Sequence, residues 1–592
     1  MKKILDFVIF GGLVLSLGAC AAFASPPPPS TPTPTPTATL PPVTPTPRPS
    51  ATPFPGPATA LPPAPVLLLG DQATWRSWQD AREPDATWMS AAFDDRAWGV
   101  VRLPLTAPKI PTPPPTVPSP SSRAVYFRAN WDVPEPAAWR ALTLALDYGH
   151  GAIVYLNGTE IERLNLEPNA MPSDWALASH NTPADRIDIS HALVALKPGR
   201  NVLAIQLHPR ENNSDWRLGV QVWALPKSSA PAVVMGPVLG LIGADTVTLQ
   251  AESDLPAVGV VEYRTGNDEW QRAWFPSATF HRITLTGLTA GATYQYRFGV
   301  QTEQALVWSP LGRFTTDSGA NQIFRMAVWG DNRPSSGSAM PTVFGKLVGV
   351  LEQRSPFAFG VTLGDAIQTY HSSTDERTLR NRYLNYWSDL GAVTRQMPVY
   401  SVLGNHEGPD CKPCMDAYNR YSVLPSRDGD RTYYSFDYGA AHLIVLNDQQ
   451  AHGNTVANFS DEQWRWLEAD LAATRQAVVF VFMHMPIWHP SGEYAAYPAA
   501  DSDALHQLFR KYQVTAVFAG HAHYYDYLER DGITYVISGG AGSPLYEQQY
   551  VKAWEQHHVL AVQVGASQVF IEALLPDGKT LDRRMLAPKP RQ

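Results

Sequence analysis

Cysteine is nearly absent from this chain. Three in 592 residues cannot build a disulfide framework or a thiolate zinc cluster, so any metal must be held by oxygen and imidazole. Charge is sparse as well. Charged residues make up 17% of the chain and the net charge is −8, which leaves no broad basic footprint for nucleic acid. Beyond the N-terminus no apolar run approaches the ~18–20 residues that span a bilayer. Proline is the opposite case: 18 of the 54 fall between Pro26 and Pro65, marking one extended tract rather than general enrichment. The remaining length is too great for one core and suggests three or four domains.

Lys2 and Lys3 precede the apolar stretch Phe7–Gly18, a basic start and short core that make an export signal over residues 1–20. Leu17-Gly18-Ala19-Cys20 resembles a bacterial lipobox, which implies cleavage before Cys20, its lipidation, and a protein anchored outside the cell membrane. The other reading is an ordinary signal cleaved nearby, with Cys20 discarded and the protein secreted. Residues 21–65 are a Pro/Thr/Ala/Ser linker, almost uncharged and biased to polyproline II. At about 3.1 Å per residue it would hold a domain on the order of 100 Å from an anchor; a tail without spacer function has the same composition.

Residues 66–226 carry short β-type runs, among them Ala124–Trp131, Ala141–Tyr148, Ile153–Leu156 before Asn157-Gly158, and Val202–Leu207. Helical periodicity is scarce, which predicts a β-sandwich, with the Pro-rich stretch 104–120 as a surface loop. Val125-Tyr126-Phe127-Arg128, Val154-Tyr155-Leu156-Asn157-Gly158-Thr159 and Gly199-Arg200-Asn201-Val202 resemble galactose-binding-like jelly-roll domains, which implies carbohydrate as a ligand class. Trp175 and Trp216 would offer stacking faces, or fill the core. Over residues 231–317, Leu285 to Arg297 resembles the late strands of a fibronectin type III domain, with Tyr294 placed for a tyrosine corner. Its expected role is that of a spacer.

From Gln322 the pattern changes to strands alternating with helices, which predicts a layered α/β domain over 322–576 with ligands outside the carboxyl ends of the strands. The clearest helix is Asp461–Thr474, where Ser460 and Gln463 are spaced as a capping box. Apolar strands end successively at Gly330-Asp331-Asn332-Arg333, Gly364-Asp365, Gly404-Asn405-His406-Glu407, His484-Met485-Pro486 and Gly520-His521-Ala522-His523. Each pair or triplet is weak alone. Five in order, each where an apolar run stops, put two carboxylates, an amide and three imidazoles on one rim, a donor set for hard-to-borderline metals.

This series resembles the calcineurin-like metallophosphoesterases, and with the fibronectin-like module it is similar to the purple acid phosphatases. The resemblance implies two metal ions. Asp331, Asp365 and His523 would hold the first; Asp365, Asn405, His484 and His521 would hold the second, with Asp365 bridging. His406 falls on the family's catalytic histidine, where it would protonate the leaving alcohol or stabilise its developing charge. Two positions depart from the family. Arg333 stands where many members have a first-motif histidine, and would either grip the substrate phosphoryl group or turn outward onto a surface carboxylate. Gln368 stands where purple acid phosphatases carry the tyrosine that favours Fe(III), with Tyr370 two residues on, so a manganese, iron(II) or zinc pair is as well supported as a purple centre.

Cys411 and Cys414, close together in an exported chain, are expected to form a local disulfide. His489, Glu493, Tyr494 and Tyr497 would line the substrate mouth or a plain polar loop. His442 reads as structural, and residues after about 576 as a polar tail. The expected architecture is multidomain: two N-terminal all-β sandwiches, then an α/β metallophosphoesterase whose four αββα layers come from the resemblance. The expected function is acid-phosphatase-like hydrolysis of phosphate monoesters at the cell envelope. A phosphodiesterase or nucleotidase, or a non-catalytic glycan-binding surface protein, is the alternative.

Overall fold

The computed structural model describes residues 59–78, 80, 82–107, 123–177, 185–211, 216–227, 230–319, 322–333, 340–369, 375–426, 430–449, 459–488, 499–546 and 555–588. Cys20 and most of the linker lie outside the described residues, as do Tyr370, His489, Glu493, Tyr494 and Tyr497. No helix among the described residues is long and apolar enough to cross a membrane.

Residues 66–226 fold as two antiparallel sheets. One joins Asp185–Asp188, Trp139–Tyr148, Trp216–Pro226 and Val66–Leu69, with Leu105–Ala107 also on Trp216–Pro226. The other runs Gly99–Val101, Trp75–Trp78, Val125–Val133, Gly199–His208, Gly151–Leu156, Thr159–Leu164. Strand alternation supplies the core: Leu142, Leu144, Leu146 and Tyr148 share one face and pack with Val220 and Val222. Asn157 and Gly158 both take positive φ, as the tight hairpin turn requires. Trp216 belongs to this core, so it offers no stacking face. Trp175 is 36% exposed, with the Arg123 guanidinium 4.4 Å over its ring.

The second module is built on one long strand, Thr246–Thr265, which slips register between Glu252 and Ala257. On one side it pairs with Gln271–Thr286; on the other its first half pairs with Val233–Ile242 and its second with Thr293–Gln301. The Tyr294 hydroxyl accepts from Thr289 N at 2.9 Å, closing the tyrosine corner. The end of the linker is not free either: Thr59–Ala60 pairs in parallel with Leu306–Trp308.

Among the described residues the C-terminal segment contains two six-stranded mixed sheets. One is ordered Val399–Ser401, Phe359–Thr362, Phe324–Trp329, Val559–Val564, Val569–Leu574, Thr580–Leu586; the other Tyr434–Tyr438, Ala441–Val445, Val478–Met483, Ala516–Ala519, Ile533–Ser538, Tyr525–Arg530. Along Val478–Met483 every residue is buried, but alternate ones serve different cores. Phe480 and Phe482 pack with residues of the first sheet, whereas Val479, Val481 and Met483 pack with Leu467, Leu471, Leu505 and Phe509 of the helices Asp461–Ala473 and Ala499–Lys511. The helices Met340–Arg354, Glu376–Asp389 and Lys412–Tyr421 contribute to the core of the first sheet, giving the layer order helix, sheet, sheet, helix.

Three expectations change. Leu105–Ala107, inside the stretch expected to be a surface loop, is a strand paired with Trp216–Leu218. The chain after 576 is an edge strand, Thr580–Leu586, paired with Val569–Leu574; it reads as polar because Arg583 faces water on one side of this edge while Asp582 and Arg584 pair with each other on the other. Only half of the capping box forms. Ser460 Oγ accepts from Gln463 N at 3.1 Å, but the Gln463 amide holds Asn447 N and O instead of returning to the cap.

Helix Glu376–Asp389 is tied to both β modules. Arg377 pairs with Glu162, while Arg380 reaches Asp188 at 2.9 Å and Glu252 at 2.6 Å. His442 is structural, held by Asp437 at 2.6 Å and Asp470 at 2.8 Å. Burial pushes its pKa down, but the two carboxylates outweigh that and raise it to about 9. A raised folded-state pKa gives stability that is complete below the unfolded value near 6.5 and lost as pH rises through about 9. Thermal melts should therefore show the wild type ahead of His442→Gln by about 2 kcal/mol at pH 6, after discounting for half-exposed Asp437, and the gap closing by pH 10.

Candidate metal centre

All five predicted loops leave the carboxyl ends of strands on one rim. Asp331 follows Phe324–Trp329, Asp365 follows Phe359–Thr362, Asn405 follows Val399–Ser401, His484 follows Val478–Met483, and His521 and His523 follow Ala516–Ala519. The backbone is strained there: Asp331, Asp365 and His521 have φ of 58°, 54° and 63°, which non-glycine residues rarely adopt. The preceding glycine is required at Gly364, where φ is 92° and a Cβ would lie 2.7 Å from His484 Nδ1. Gly404 is equally confined, since a Cβ would lie 2.4 Å from Asp365 Oδ1.

Ligand atoms of Asp331, Asp365 and His484, all buried, lie within 4.8 Å of one another. His484 Nε2 is 3.4 Å from Asp365 Oδ1 and 2.9 Å from Asn405 Oδ1. His521 Nδ1 lies 3.2 Å from the same Asn405 oxygen, and His523 Nε2 lies 3.4 Å from Asp331 Oδ1. All six residues named for metal binding therefore meet in one cluster. Two imidazoles are oriented from behind: His484 Nδ1 donates to Leu363 O and His523 Nδ1 to Pro544 O, both at 2.7 Å, which leaves each Nε2 aimed inward. Asp331 Oδ1 is buried without a hydrogen bond. A buried carboxylate oxygen with no donor, beside imidazole nitrogens, is a donor set that fits a cation.

Arg333 points inward, not onto a surface carboxylate. It is 8% exposed; Nε donates to Asp365 Oδ2 at 2.9 Å and Nη1 to Gln368 Oε1 at 2.7 Å. Burial pushes Asp365 up, but His484, His406 and Arg333 outweigh it and hold the carboxyl well below the usual carboxylate range. Burial likewise pushes His484 down, while Asp365, Asp331 and Asp448 outweigh it and raise it to about 9. His406 and His521 are pushed down to about 4, chiefly by burial.

Some contributors escaped the sequence reading. Glu407 accepts from the backbone N–H groups of Gly404, Asp365, Ala366 and Ile367 at 2.7–3.3 Å, pinning the second-motif loop to the third. Its place directly after His406 was the one available signal. Tyr546 stacks on His523 with ring centroids 4.4 Å apart and donates to His521 O. Cys411 and Cys414 are joined by a disulfide at the start of helix Lys412–Tyr421. Glu407→Gln should be costly, because an amide turns an N–H toward donors that need acceptors. We expect a loss of about 3 kcal/mol in a denaturant titration, together with weakened metal affinity.

Residues 338–525 match the calcineurin-like phosphoesterase family. The chain carries a calcineurin-like phosphoesterase domain. The wider chain is similar to purple acid phosphatase 15 of Arabidopsis thaliana, 27% identical over 300 residues covering 45% of this chain and 54% of that protein. It is also similar to acid phosphatase type 7 of Mus musculus, 27% identical over 285 residues, 45% of this chain and 60% of that protein. The match thus spans a little over half the length of these curated relatives. Among solved structures, purple acid phosphatase PPD1 from yellow lupin, Lupinus luteus, aligns over 78% of this chain and 93% of its own with a TM-score of 0.53. At 13% identity that likeness shows a shared fold. Asp365, Asn405, His484, His521 and His523 lie within the matched residues, and Asp331 lies just before them.

Proposed function

We propose that the chain hydrolyses phosphate esters, with phosphate monoesters as the first class to test, using two metal ions held on this rim. The observation that carries the reading is the convergence of Asp331, Asp365 and His484 within 4.8 Å, with Asn405, His521 and His523 in contact with them. Asp331, Asp365 and His523 would hold one ion, and Asp365, Asn405, His484 and His521 the other. Two divalent ions so placed would neutralise phosphoryl oxygens and acidify a bound water. The chain's own residues do the rest. Arg333 presents a guanidinium fork beside the bridging carboxylate, suited to two oxygens of a phosphoryl group once drawn from Asp365. His406 Nε2 lies 3.9 Å from Asp365 Oδ2, placed to meet a departing oxygen.

Manganese, iron or zinc suits this mixture of carboxylate, amide and imidazole. The missing tyrosine at position 368 argues against a purple iron(III) centre. The N-terminal features support export with a lipid on Cys20, and the jelly-roll-like module supports a carbohydrate ligand in which Trp175, not Trp216, would take part. Purified protein loaded with each metal in turn and assayed on mono-, di- and nucleotide esters tests the reading. Turnover of monoesters above diesters is expected, and absence of metal-dependent turnover on every class would refute it.

A further inference from the structure

Gln368 lies between groups whose hydrogen-bonding sense is fixed. Arg333 Nη1 can only donate, and it lies 2.7 Å from one end of the amide, so that end is Oε1. The Thr369 carbonyl can only accept, and it lies 3.2 Å from the other end, so that end is Nε2. The amide therefore has one orientation, and its remaining N–H is aimed at His406 Nδ1, 2.7 Å away. A ring nitrogen that accepts a hydrogen bond carries no proton, so the proton of the neutral ring sits on Nε2. The backbone fixes the ring's root: His406 N donates to Asp365 Oδ1 at 2.9 Å, and its carbonyl accepts from Thr369 N and Oγ at 2.9 and 2.7 Å.

We propose that Gln368, oriented by Arg333, is a positioning residue that locks His406 in the Nε2–H tautomer, so that His406 acts as a neutral hydrogen-bond donor to the departing oxygen and not as a proton donor. This rests on the phosphoesterase reading above. An imidazolium would carry a proton on Nδ1 as well and set it against the Gln368 N–H, donor against donor. A neutral ring that surrendered its single proton would become an imidazolate anion. The bond from Nε2–H instead strengthens as the phosphorus–oxygen bond breaks and negative charge gathers on the leaving oxygen. The proton stays on Nε2, and the alkoxide takes its own from solvent water.

The test uses the full chain loaded with zinc, a d¹⁰ ion that leaves the spectra undisturbed, and grown on histidine labelled with ¹⁵N at Nδ1. The His406 signal is assigned by its disappearance in His406→Gln. Wild type should show Nδ1 without an attached proton. Gln368→Glu, whose carboxylate accepts from both Arg333 and the ring, should show Nδ1–H. In kinetics, His406→Ala should lower kcat about 100-fold or more, whereas His406→Gln, which keeps an amide N–H but has no releasable proton, should lose only about tenfold. A protonated Nδ1 in wild type, or His406→Gln as impaired as His406→Ala, overturns the proposal. The two readings fail separately. An inactive wild type with a bare Nδ1 would defeat the phosphoesterase reading and leave the lock standing, and an active wild type protonated at Nδ1 would do the reverse.

Discussion

Asp365→Asn is expected to lose bound metal and activity together. Both carboxylate oxygens are engaged: Oδ1 accepts from His406 N and faces His484 Nε2, while Oδ2 accepts from Arg333 Nε. An asparagine keeps one of those oxygens and replaces the other with an N–H₂ group, which would then meet a donor. It also removes the single negative charge set between a guanidinium and an imidazole in a fully buried place. Breaking a buried pair from one side costs about 3–5 kcal/mol, so the metal-free variant should melt well below wild type. Activity should fall by more than about 100-fold, since disturbing even the partners of ligands costs roughly 10–100-fold. Elemental analysis of purified protein, run beside an ester hydrolysis assay, reads both effects. A variant that kept its metal and lost turnover would show that Asp365 does not bridge.

Arg333→Lys is the second large effect. The guanidinium spans Asp365 Oδ2 and Gln368 Oε1, 2.9 and 2.7 Å away, with its planar fork; an ammonium is a point charge and satisfies one of them. A charged hydrogen bond is worth about 1.5–3 kcal/mol, so kcat/KM should drop roughly 10–100-fold. Inhibition by free phosphate should weaken in step, with metal content unchanged. Arg333→His tests the same position from the other side. The residue's backbone N–H is held by Asp365 O at 3.0 Å whatever the side chain, so an imidazole would start from the same place and should raise metal affinity. If phosphate inhibition ignores Arg333→Lys and metal affinity ignores Arg333→His, the guanidinium serves only Asp365 and Gln368.

The strand-end motifs were legible in sequence for a physical reason. Strands such as Val478–Met483 are buried on both faces, so they read as unbroken apolar runs, and the first polar residue after each run is where the chain reaches the rim. The hairpin at Asn157-Gly158 and the tyrosine corner at Tyr294 were legible because one local geometry demands those residues. What stayed hidden depends on neighbours distant in sequence. Arg333 reads equally as inward or outward until Asp365 and Gln368 are seen around it. Glu407 looks like one more polar residue in a motif, and only folding brings four N–H groups to it. Thr580–Leu586 reads as a tail because an edge strand with a wet face has that composition. Gln463 reads as part of its own helix cap because a capping box is a local pattern, yet its amide is taken by Asn447.

The central claim, that this rim works as a two-metal phosphoesterase site, is tested most directly by metal titration of the stripped wild-type protein. Chelated chain would be reloaded stepwise with manganese, iron(II) or zinc, and bound metal and ester hydrolysis measured on each sample. The expected result is negligible turnover without metal and a rise that reaches its plateau at about two ions per chain. Full turnover in the stripped protein, or a plateau at one ion per chain, would contradict the account.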